Sequence, residues 1–347
     1  MKVTAEVFTL EALHGLFRIA REAHVRSDTV IVSIEHEGVT GVGEGKPVSY
    51  YDAQTAKNLV EVVTEAQPLL GDDPFLIEDI VARVTAKFPK AHAAICAIDT
   101  ALHDLAGKLL GAPLYRLFGL DPARAPLTDF TIGIEAPAVM AKRAAAAAKE
   151  FRILKIKVGA GDDEEIIKAI RDLTDLPLRL DANTGWTKEQ AVENINRLAK
   201  YNIEFVEQPI APGDNEGLRF VRQRVSVPTM ADESLVHVED IPRLAGCVDA
   251  INIKLMKCRG IRQALKMIHL AHGLGMKVML GCFSETSVGI TAAAHLSPMV
   301  EYADLDGNRL VANDPFRGVS VVDGRLTLPD GPGLGVERRK QGVKHKK

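Results

Sequence analysis

Three carboxylates in this 347-residue chain stand near the ends of successive apolar segments: Asp181 in PLRLDAN, Glu207 in IEFVEQP and Asp232 in VPTMADES. If these segments are adjacent parallel strands, the three groups meet at one edge and need a cation to offset their repulsion. Oxygen ligands without histidine or cysteine suit Mg²⁺, with Mn²⁺ as a substitute, and argue against zinc. The alternative is that each acid caps the helix after its strand. Three such acids in a row favour the metal site.

Lysines flank these acids along the chain. Lys155 and Lys157 in ILKIKVG share one face of a predicted strand, and Lys254 follows the acids in AINIKLM. Burial, a second ammonium group and a nearby metal all favour the neutral form of a lysine, which can then act as a base. Two lysines on opposite sides of a bound carboxylate could remove an α-proton and return one, by way of an enediolate. The alternative is an interior salt-bridge network.

The spacing of these residues predicts the architecture that positions them. From Lys157 to Lys254 the charged residues recur about every 25 residues, which fits one strand, one helix and two short loops. Eight such segments predict an α/β fold of the TIM-barrel type, a (β/α)8 barrel with its chemistry at the carboxyl ends of the strands. A doubly wound open sheet is less consistent, because no GxGxxG or phosphate-binding loop follows the first strand.

The first third of the chain has a different pattern. Residues 29–45 alternate apolar and polar side chains around Glu37 and Gly38, which predicts a β-hairpin. From about residue 51 to residue 110 the spacing becomes helical, with breaks at Gly71 and near Pro89 that predict three helices.

Two domains follow from these patterns. We expect an α+β capping domain over residues 1–120, completed by about 312–347, where GVSVVDGRLTLPDG predicts another hairpin. A barrel catalytic domain is expected over residues 121–311.

Composition and charge exclude several classes of protein. The net charge of -3 provides no field that would attract nucleic acid or an anionic membrane, and no apolar run is long enough to span one. The four cysteines form no CxxC pair, which argues against a zinc knuckle or a disulfide scaffold and predicts reduced, buried thiols. Without a signal-peptide pattern at the amino terminus, we expect a cytoplasmic enzyme of a small-molecule substrate.

Five motifs stand in the order and spacing of the muconate-lactonizing subgroup of the enolase superfamily, and the chain resembles that subgroup: KIK at 155–157, DAN at 181–183, VEQP at 206–209, ADES at 231–234 and NIKLMKCRG at 252–260. The resemblance implies a capping domain that closes over the barrel mouth, and a homo-oligomer. It implies one Mg²⁺ and these roles: Asp181, Glu207 and Asp232 as metal ligands, Lys157 and Lys254 as the acid/base pair, and Lys155 as the supporting lysine.

Residues of the eighth predicted strand indicate one branch of this family. DLDG, with Asp304 and Asp306, resembles the dipeptide epimerases, in which this pair receives the α-ammonium group of the substrate. Two neighbouring carboxylates also need a positive partner on physical grounds, whereas a turn-forming Asp-Gly would explain Asp306 alone. The resemblance therefore implies Mg²⁺-dependent epimerisation of a dipeptide at the α-carbon of its C-terminal residue.

Two segments bear on the choice of dipeptide. The loop FRIAREAHVRSD, residues 17–28, falls where the family reads the side chain of the epimerised residue. Ala-Glu epimerases carry an arginine there, but an ungapped match places Glu22 at that position, next to Arg21. A cationic or an apolar residue is then an alternative to glutamate. Phe283 in LGCFSET is predicted to form a wall of the pocket, with a plain core position as the alternative.

Two other functions stay open on the sequence alone. An o-succinylbenzoate synthase or a muconate cycloisomerase would use the same metal and lysines on a substrate without an ammonium group. A non-catalytic barrel that binds a ligand is the third possibility, although such a protein has no need for two buried bases.

Overall fold

Two main sheets organise the part of the chain that the computed structural model describes, residues 1–48 and 55–340. The first is antiparallel and has three strands, Lys2–Glu11, Arg26–His36 and Val39–Gly45, with the second of them in the centre. The second is an eight-stranded parallel sheet. Antiparallel and parallel sheets thus divide the chain into a cap and a barrel.

The predicted hairpin of the capping domain is confirmed. Strands Arg26–His36 and Val39–Gly45 are joined through Glu37 and Gly38, both at positive φ, which suits a tight two-residue turn. The strand Lys2–Glu11, which pairs along its whole length with Arg26–His36, was not predicted. Most of its side chains are exposed or half-buried, so its apolar alternation is a weak signal.

The three predicted helices of the cap are also confirmed, as Ala56–Ala66, Ile77–Lys87 and His92–Leu109, and the predicted start near residue 51 lies outside the described residues. The third helix is buried along most of its length and packs against the hairpin. A Cβ at Gly43 would come within 2.1 Å of Ala97 O, so glycine permits this close approach.

The eight predicted barrel strands are present, and each pairs with its neighbours in chain order. Their bounds are Phe130–Ile132, Leu154–Lys157, Leu178–Asp181, Ile203–Glu207, Thr229–Ala231, Ala250–Lys254, Lys277–Gly281 and Tyr302–Asp304. A bridge from Thr128 to Ala303 brings the first strand beside the eighth. The α-helices of this part are Pro137–Ala147, Asp163–Arg171, Lys188–Leu198, Asn215–Arg222, Ile241–Leu244, Leu255–Cys258, Ile261–Gly273 and Ser287–Ala294. The predicted barrel fold with a separate cap is confirmed.

Short elements complete the chain. The remaining α-helix is Leu114–Leu117, and the remaining strands are Phe17–Arg18, Ala23–His24, Phe316–Arg317, Ser320–Val322, Arg325–Thr327 and Glu337–Arg338. The 3₁₀ turns are Gln67–Leu69, Pro122–Arg124, Ala199–Tyr201, Val238–Asp240, Ser297–Met299 and Gly307–Arg309.

Strand register arranges the barrel interior in layers. Phe205, Met230, Ala250 and Met279 form an apolar cluster with Tyr302 packed against it. Closer to the carboxyl ends the register aligns Lys157 with Asp181 and Asp181 with Glu207, and on the other side Lys254 and Asp304 both pair with Gly281. The apolar layer therefore lies beneath the charged layer, farther from the carboxyl ends of the strands.

The carboxyl-terminal segment touches both parts of the molecule. Its predicted hairpin, Ser320–Val322 with Arg325–Thr327, lies at the amino ends of the barrel strands, where Thr128 N donates to Gly324 O at 2.9 Å. Further on, Arg338 forms an ion pair with Glu6 on the first strand of the cap at 3.0 Å. Residues 341–347 of the predicted 312–347 segment lie outside the described residues.

Two expectations from the sequence concern membrane-spanning segments and the cysteines. In residues 1–48 and 55–340 no helix has the length and apolar character needed to cross a membrane. All four cysteines are free; Cys96, Cys247 and Cys258 are buried, and Cys282 is partly exposed. A cytoplasmic location stays a prediction.

Candidate active site

A cavity of about 250 Å³ opens at the carboxyl ends of the barrel strands, under the loop of residues 17–28. Eight of the predicted site residues line it: Lys155, Lys157, Lys254, Asp304, Asp306, Arg21, Glu22 and Phe283. The three predicted metal ligands lie beside these lysines and are at most 1% exposed: Asp181, Glu207 and Asp232. The structure thus brings all eleven predicted residues to one place.

Two lysines of the second barrel strand, Lys155 and Lys157, bind the metal-ligand candidates Asp181 and Glu207 through their ammonium groups. Lys157 Nζ donates to Asp181 Oδ2 at 2.6 Å. Lys155 Nζ donates to Asp304 Oδ2 at 2.6 Å and lies 2.7 Å from Glu207 Oε2 and 3.1 Å from Asp181 Oδ2. Burial lowers the pKa of Lys155, but Asp304, Glu207 and Asp181 outweigh it and raise the pKa well above its usual value. Lys155 is therefore a fixed positive charge that gathers three acids, and a poor base.

The third carboxylate is held from the opposite side. Lys254 Nζ donates to Asp232 Oδ2 at 2.9 Å, and Lys257 Nζ donates to Asp232 Oδ1 at 2.5 Å. Lys257 is fully enclosed, and its role was not predicted, although it stands in the motif NIKLMKCRG. One oxygen of Asp232 thus faces a lysine of the cavity and the other is fixed by a lysine behind it.

The three acids differ in charge state for clear reasons. Burial raises the pKa of Asp181, but Lys157 and Lys155 outweigh it and hold the pKa below its usual value. The same holds for Asp232, where Lys254 and Lys257 overcome burial. Burial and the charge of Asp181 raise the pKa of Glu207 to about 7. Two acids are therefore ionised at neutral pH, while the third sits close to its midpoint, where a positive ligand would favour the ionised form.

Neutral polar groups orient these acids, and no role was predicted for them from the sequence. Asn252 Nδ2 donates to Glu207 Oε1 at 2.7 Å. A Cβ at Gly281 would come 2.4 Å from Asn252 Oδ1, so the glycine leaves room for that amide. Asn183 N donates to Asp181 Oδ1 at 2.9 Å, and Gln208 Oε1 accepts from Asp232 N at 2.9 Å. Asn183 comes two residues after Asp181, and Gln208 comes directly after Glu207. Both have positive φ and lie just beyond the ends of their strands.

The donor set fits a hard divalent cation. Asp181, Glu207 and Asp232 offer only carboxylate oxygens, and Glu207 Oε2 is buried without a well-aligned hydrogen bond from the described residues. Another group, Cys282 with Asp304 and Asp306, has ligand atoms within 4.8 Å of one another. Burial raises the pKa of the Cys282 thiol well above its usual value, which disfavours the thiolate that a metal needs. The three acids are the better candidates for Mg²⁺.

The acid pair on the eighth strand has a different character. Asp306 Oδ2 accepts from Thr131 N at 2.6 Å, while Asp304 is tied to Lys155. Burial and the charge of Asp304 raise the pKa of Asp306 to about 7. A cation in the cavity would favour the charged form of Asp306, so this wall is suited to an ammonium group.

The capping loop contacts the barrel at the mouth of the cavity. Arg21 forms an ion pair with Glu233, a buried acid whose Oε1 also accepts from Asn183 Nδ2 at 3.2 Å. Glu233, next to Asp232 in ADES, was not predicted to take part. The ring of Phe283 lies 4.5 Å from Lys254 Nζ, so it is a wall of the cavity and not only a core side chain. These contacts close the cavity on the side of the cap.

A parallel barrel with a separate cap, and with lysines and carboxylates at the barrel mouth, defines a class of proton-transfer enzymes. Residues 3–119 match the mandelate racemase / muconate lactonizing enzyme N-terminal domain, and residues 139–342 match the enolase C-terminal domain-like family. The chain belongs to the mandelate racemase / muconate lactonizing enzyme family of the enolase superfamily, as its motifs indicated.

The names of similar proteins indicate which reaction within this family their sequences accompany. The L-Ala-D/L-Glu epimerase of Bacteroides thetaiotaomicron is 45% identical, over 97% of this chain and 88% of the relative. A dipeptide epimerase from Enterococcus faecalis, solved with Mg and L-Leu-L-Tyr, has a TM-score of 0.92 and 40% identity, and covers 97% of this chain and 99% of its own. One from Cytophaga hutchinsonii, solved with Mg and D-Ala-L-Val, has a TM-score of 0.92, 32% identity, and coverage of 98% and 97%. These relatives share a reaction and differ in the dipeptide.

Proposed function

We propose that this protein is a Mg²⁺-dependent dipeptide epimerase, an isomerase that inverts the α-carbon of the C-terminal residue. One observation carries the proposal: Lys157 and Lys254 face a single cavity from the two sides of the acid cluster. The same cavity has an acid pair, Asp304 and Asp306, on its wall. A dipeptide has a matching group for each feature: a carboxylate for the metal site, an α-hydrogen for the two lysines and an ammonium group for the acid pair.

We assign the metal to Asp181, Glu207 and Asp232, which are buried and come from three adjacent strands. Mg²⁺ bound there supplies positive charge that stabilises the negative charge developing on the substrate carboxylate when the α-proton leaves. Asn252 and Lys257 each fix one oxygen of a ligand, so the acids keep their orientation.

The proton steps belong to the two lysines of the cavity. Nζ of one lysine accepts the proton from the α-carbon, and Nζ of the other donates a proton to the opposite face. Lys157 Nζ and Lys254 Nζ each lie within hydrogen-bond distance of a carboxylate, at 2.6 and 2.9 Å, so each nitrogen has a defined position. The one that accepts the proton acts as the neutral amine, and the one that donates acts as the ammonium group. Lys155 stays charged beside them and holds Asp304, Glu207 and Asp181 together.

A lactonizing or dehydrating relative is the alternative, with the same lysines and acids but no ammonium group on its substrate. The replacement Asp304→Asn separates the two. For a dipeptide epimerase we expect kcat/KM to fall by roughly a hundredfold, because a charge-assisted contact to the ammonium group is lost in a buried site. A matched exposed replacement, Asp72→Asn on the cap, serves as the control. A change of less than about threefold in Asp304→Asn would favour the alternative.

The direct test is hydrogen exchange. The protein is incubated with Mg²⁺ and pools of L,L-dipeptides in deuterium oxide, and mass spectrometry scores a gain of one mass unit at the α-carbon. We expect incorporation for a subset of dipeptides, and loss of incorporation when a chelator removes the metal. If folded, metal-loaded protein exchanges no dipeptide in any pool, the proposal is wrong.

Three further expectations accompany this function. We propose that residues 1–120 with about 312–347 act as the cap and residues 121–311 as the catalytic barrel. The enzyme is predicted to be a cytoplasmic homo-oligomer. Sedimentation of the purified protein tests the last point.

A further inference from the structure

A lysine of the cap is buried at the cavity without a carboxylate partner in the described part of the chain. Lys46 follows the strand Val39–Gly45, is 6% exposed, and lines the cavity. Its Nζ donates to Ser27 Oγ at 2.7 Å and lies 3.5 Å from Asp28 O. Within residues 1–48 and 55–340 no carboxylate oxygen lies within 4.0 Å of this ammonium group, whereas each lysine of the proposed reaction has one.

Burial of an ammonium group without a close anion is costly, and burial lowers the pKa of Lys46. Four carboxylates act on it from a longer distance: Glu44, Glu285, Asp28 and Glu22. Of these, Glu44 already accepts from Thr286, Gly289 and Thr29. Burial and the charge of Glu44 raise the pKa of Glu285 to about 8, so Glu285 is mostly protonated at neutral pH. Glu44 and Glu285 therefore act on Lys46 only from beyond ion-pair distance, and neither accepts a hydrogen bond from it among the described residues.

An ammonium group can donate three hydrogen bonds, and among the described residues Lys46 has one good acceptor and one at the limit of distance. A donor therefore remains for a group in the cavity. Arg21, which also lines the cavity from the cap, is already paired with Glu233. Glu22 also lines the cavity, but it is exposed to solvent, which screens its charge.

We propose that Lys46 binds a carboxylate on the side chain of the substrate, so that the enzyme acts on dipeptides with an acidic side chain. The inference rests on the proposed epimerase function and specifies its substrate class. Ser27, which holds Lys46, belongs to the loop of residues 17–28 that contacts the barrel mouth. The ammonium group therefore enters the cavity from the cap, whereas the acid pair Asp304 and Asp306 belongs to the barrel.

The test compares acidic dipeptides with their amides, which have almost the same shape. Rates of deuterium incorporation are measured for L-Ala-L-Glu and L-Ala-L-Gln, for L-Glu-L-Ala and L-Gln-L-Ala, and for L-Ala-L-Lys. We expect the wild-type protein to prefer the acid over the amide in one of the two pairs, by roughly tenfold or more in kcat/KM. The pair that shows the preference identifies the position of the acidic residue.

Variants then assign the preference to its residue. In Lys46→Met the acid-to-amide ratio should fall roughly tenfold, and Lys46→Arg should retain more of it. Lys142→Met, an exposed lysine on the helix Pro137–Ala147, is the matched control and should leave the ratio unchanged.

Two results would overturn the inference: a wild-type protein that exchanges amides or L-Ala-L-Lys as fast as the acids, or a ratio that survives Lys46→Met. Both leave the epimerase function intact, because exchange still occurs. Failure of that function is a separate result, namely no exchange with any dipeptide. The wild-type comparison needs no variant, so it stands even if Lys46→Met fails to fold.

Discussion

Two clusters of buried charge lie at different depths of the same barrel. In the lower one, Arg179 Nη1 donates to Asp129 Oδ2 at 2.8 Å and its Nε donates to Glu204 Oε2 at 2.6 Å. The guanidinium carbon lies 5.3 Å from the ring centres of both Phe205 and Tyr302. The planar group is thus fixed between two acids and two rings.

The upper cluster is built from lysines and faces a cavity. Lys157 and Lys254 each donate to an acid that is also bound by a second lysine, and Glu207 Oε2 is left without a well-aligned hydrogen bond among the described residues. Arginine stays charged and binds with a rigid fork, whereas lysine is a mobile point charge that can lose its proton. The comparison supports a structural role for the lower cluster and is consistent with the proton transfer proposed for the upper one.

The largest effect should come from the lysines of the upper cluster. Lys157→Ala and Lys254→Ala should each reduce kcat for epimerisation by roughly a thousandfold or more, because each removes the acid/base group proposed for one face of the substrate. Turnover of L,L and L,D dipeptides is measured in both directions, with circular dichroism as the check on folding. Near-normal turnover in either variant would contradict the assignment.

The lower cluster should respond in stability instead. Arg179→Met leaves Asp129 and Glu204 without their cation, which should cost about 3–5 kcal/mol of unfolding free energy. Turnover per folded molecule should change far less than in the lysine variants. Urea unfolding and active-site titration measure the two quantities separately. Stability equal to the wild type would show that Arg179 is not a structural anchor.

A smaller effect concerns pH. The pKa of Asp306 is raised to about 7 by burial and by Asp304, so its charged form, which would attract an ammonium group, predominates only above that pH. We expect kcat/KM for a dipeptide to rise between about pH 6 and pH 8, and Asp306→Asn to remove that rise. An unchanged profile in the variant would assign the titration to another group, such as Glu207.

The repeating strand and helix units of the barrel could be predicted from the sequence. Regular spacing placed eight strands, and the polar residue at each strand end marked Asp181, Glu207, Asp232 and the lysines. Side chains that depend on contacts between distant segments were missed. Lys46 acquires its position only when the cap folds over the barrel.

The remaining omissions have related causes. The role of Lys257 depends on its reach across to Asp232 from the short helix Leu255–Cys258, which spacing alone does not indicate. The strand Lys2–Glu11 is recognisable only from its pairing with Arg26–His36. Local periodicity identifies elements, but the contacts between elements are set by tertiary packing.

The opposed placement of Lys157 and Lys254 is tested most directly by following α-hydrogen exchange, by NMR in deuterium oxide, in the two alanine variants. Each variant keeps one lysine, so it should still exchange the isomer whose α-hydrogen faces that lysine without inverting it. Lys157→Ala and Lys254→Ala should therefore exchange opposite isomers, one the L,L and the other the L,D dipeptide. If both variants exchange the same isomer, the two lysines do not act on opposite faces of the substrate.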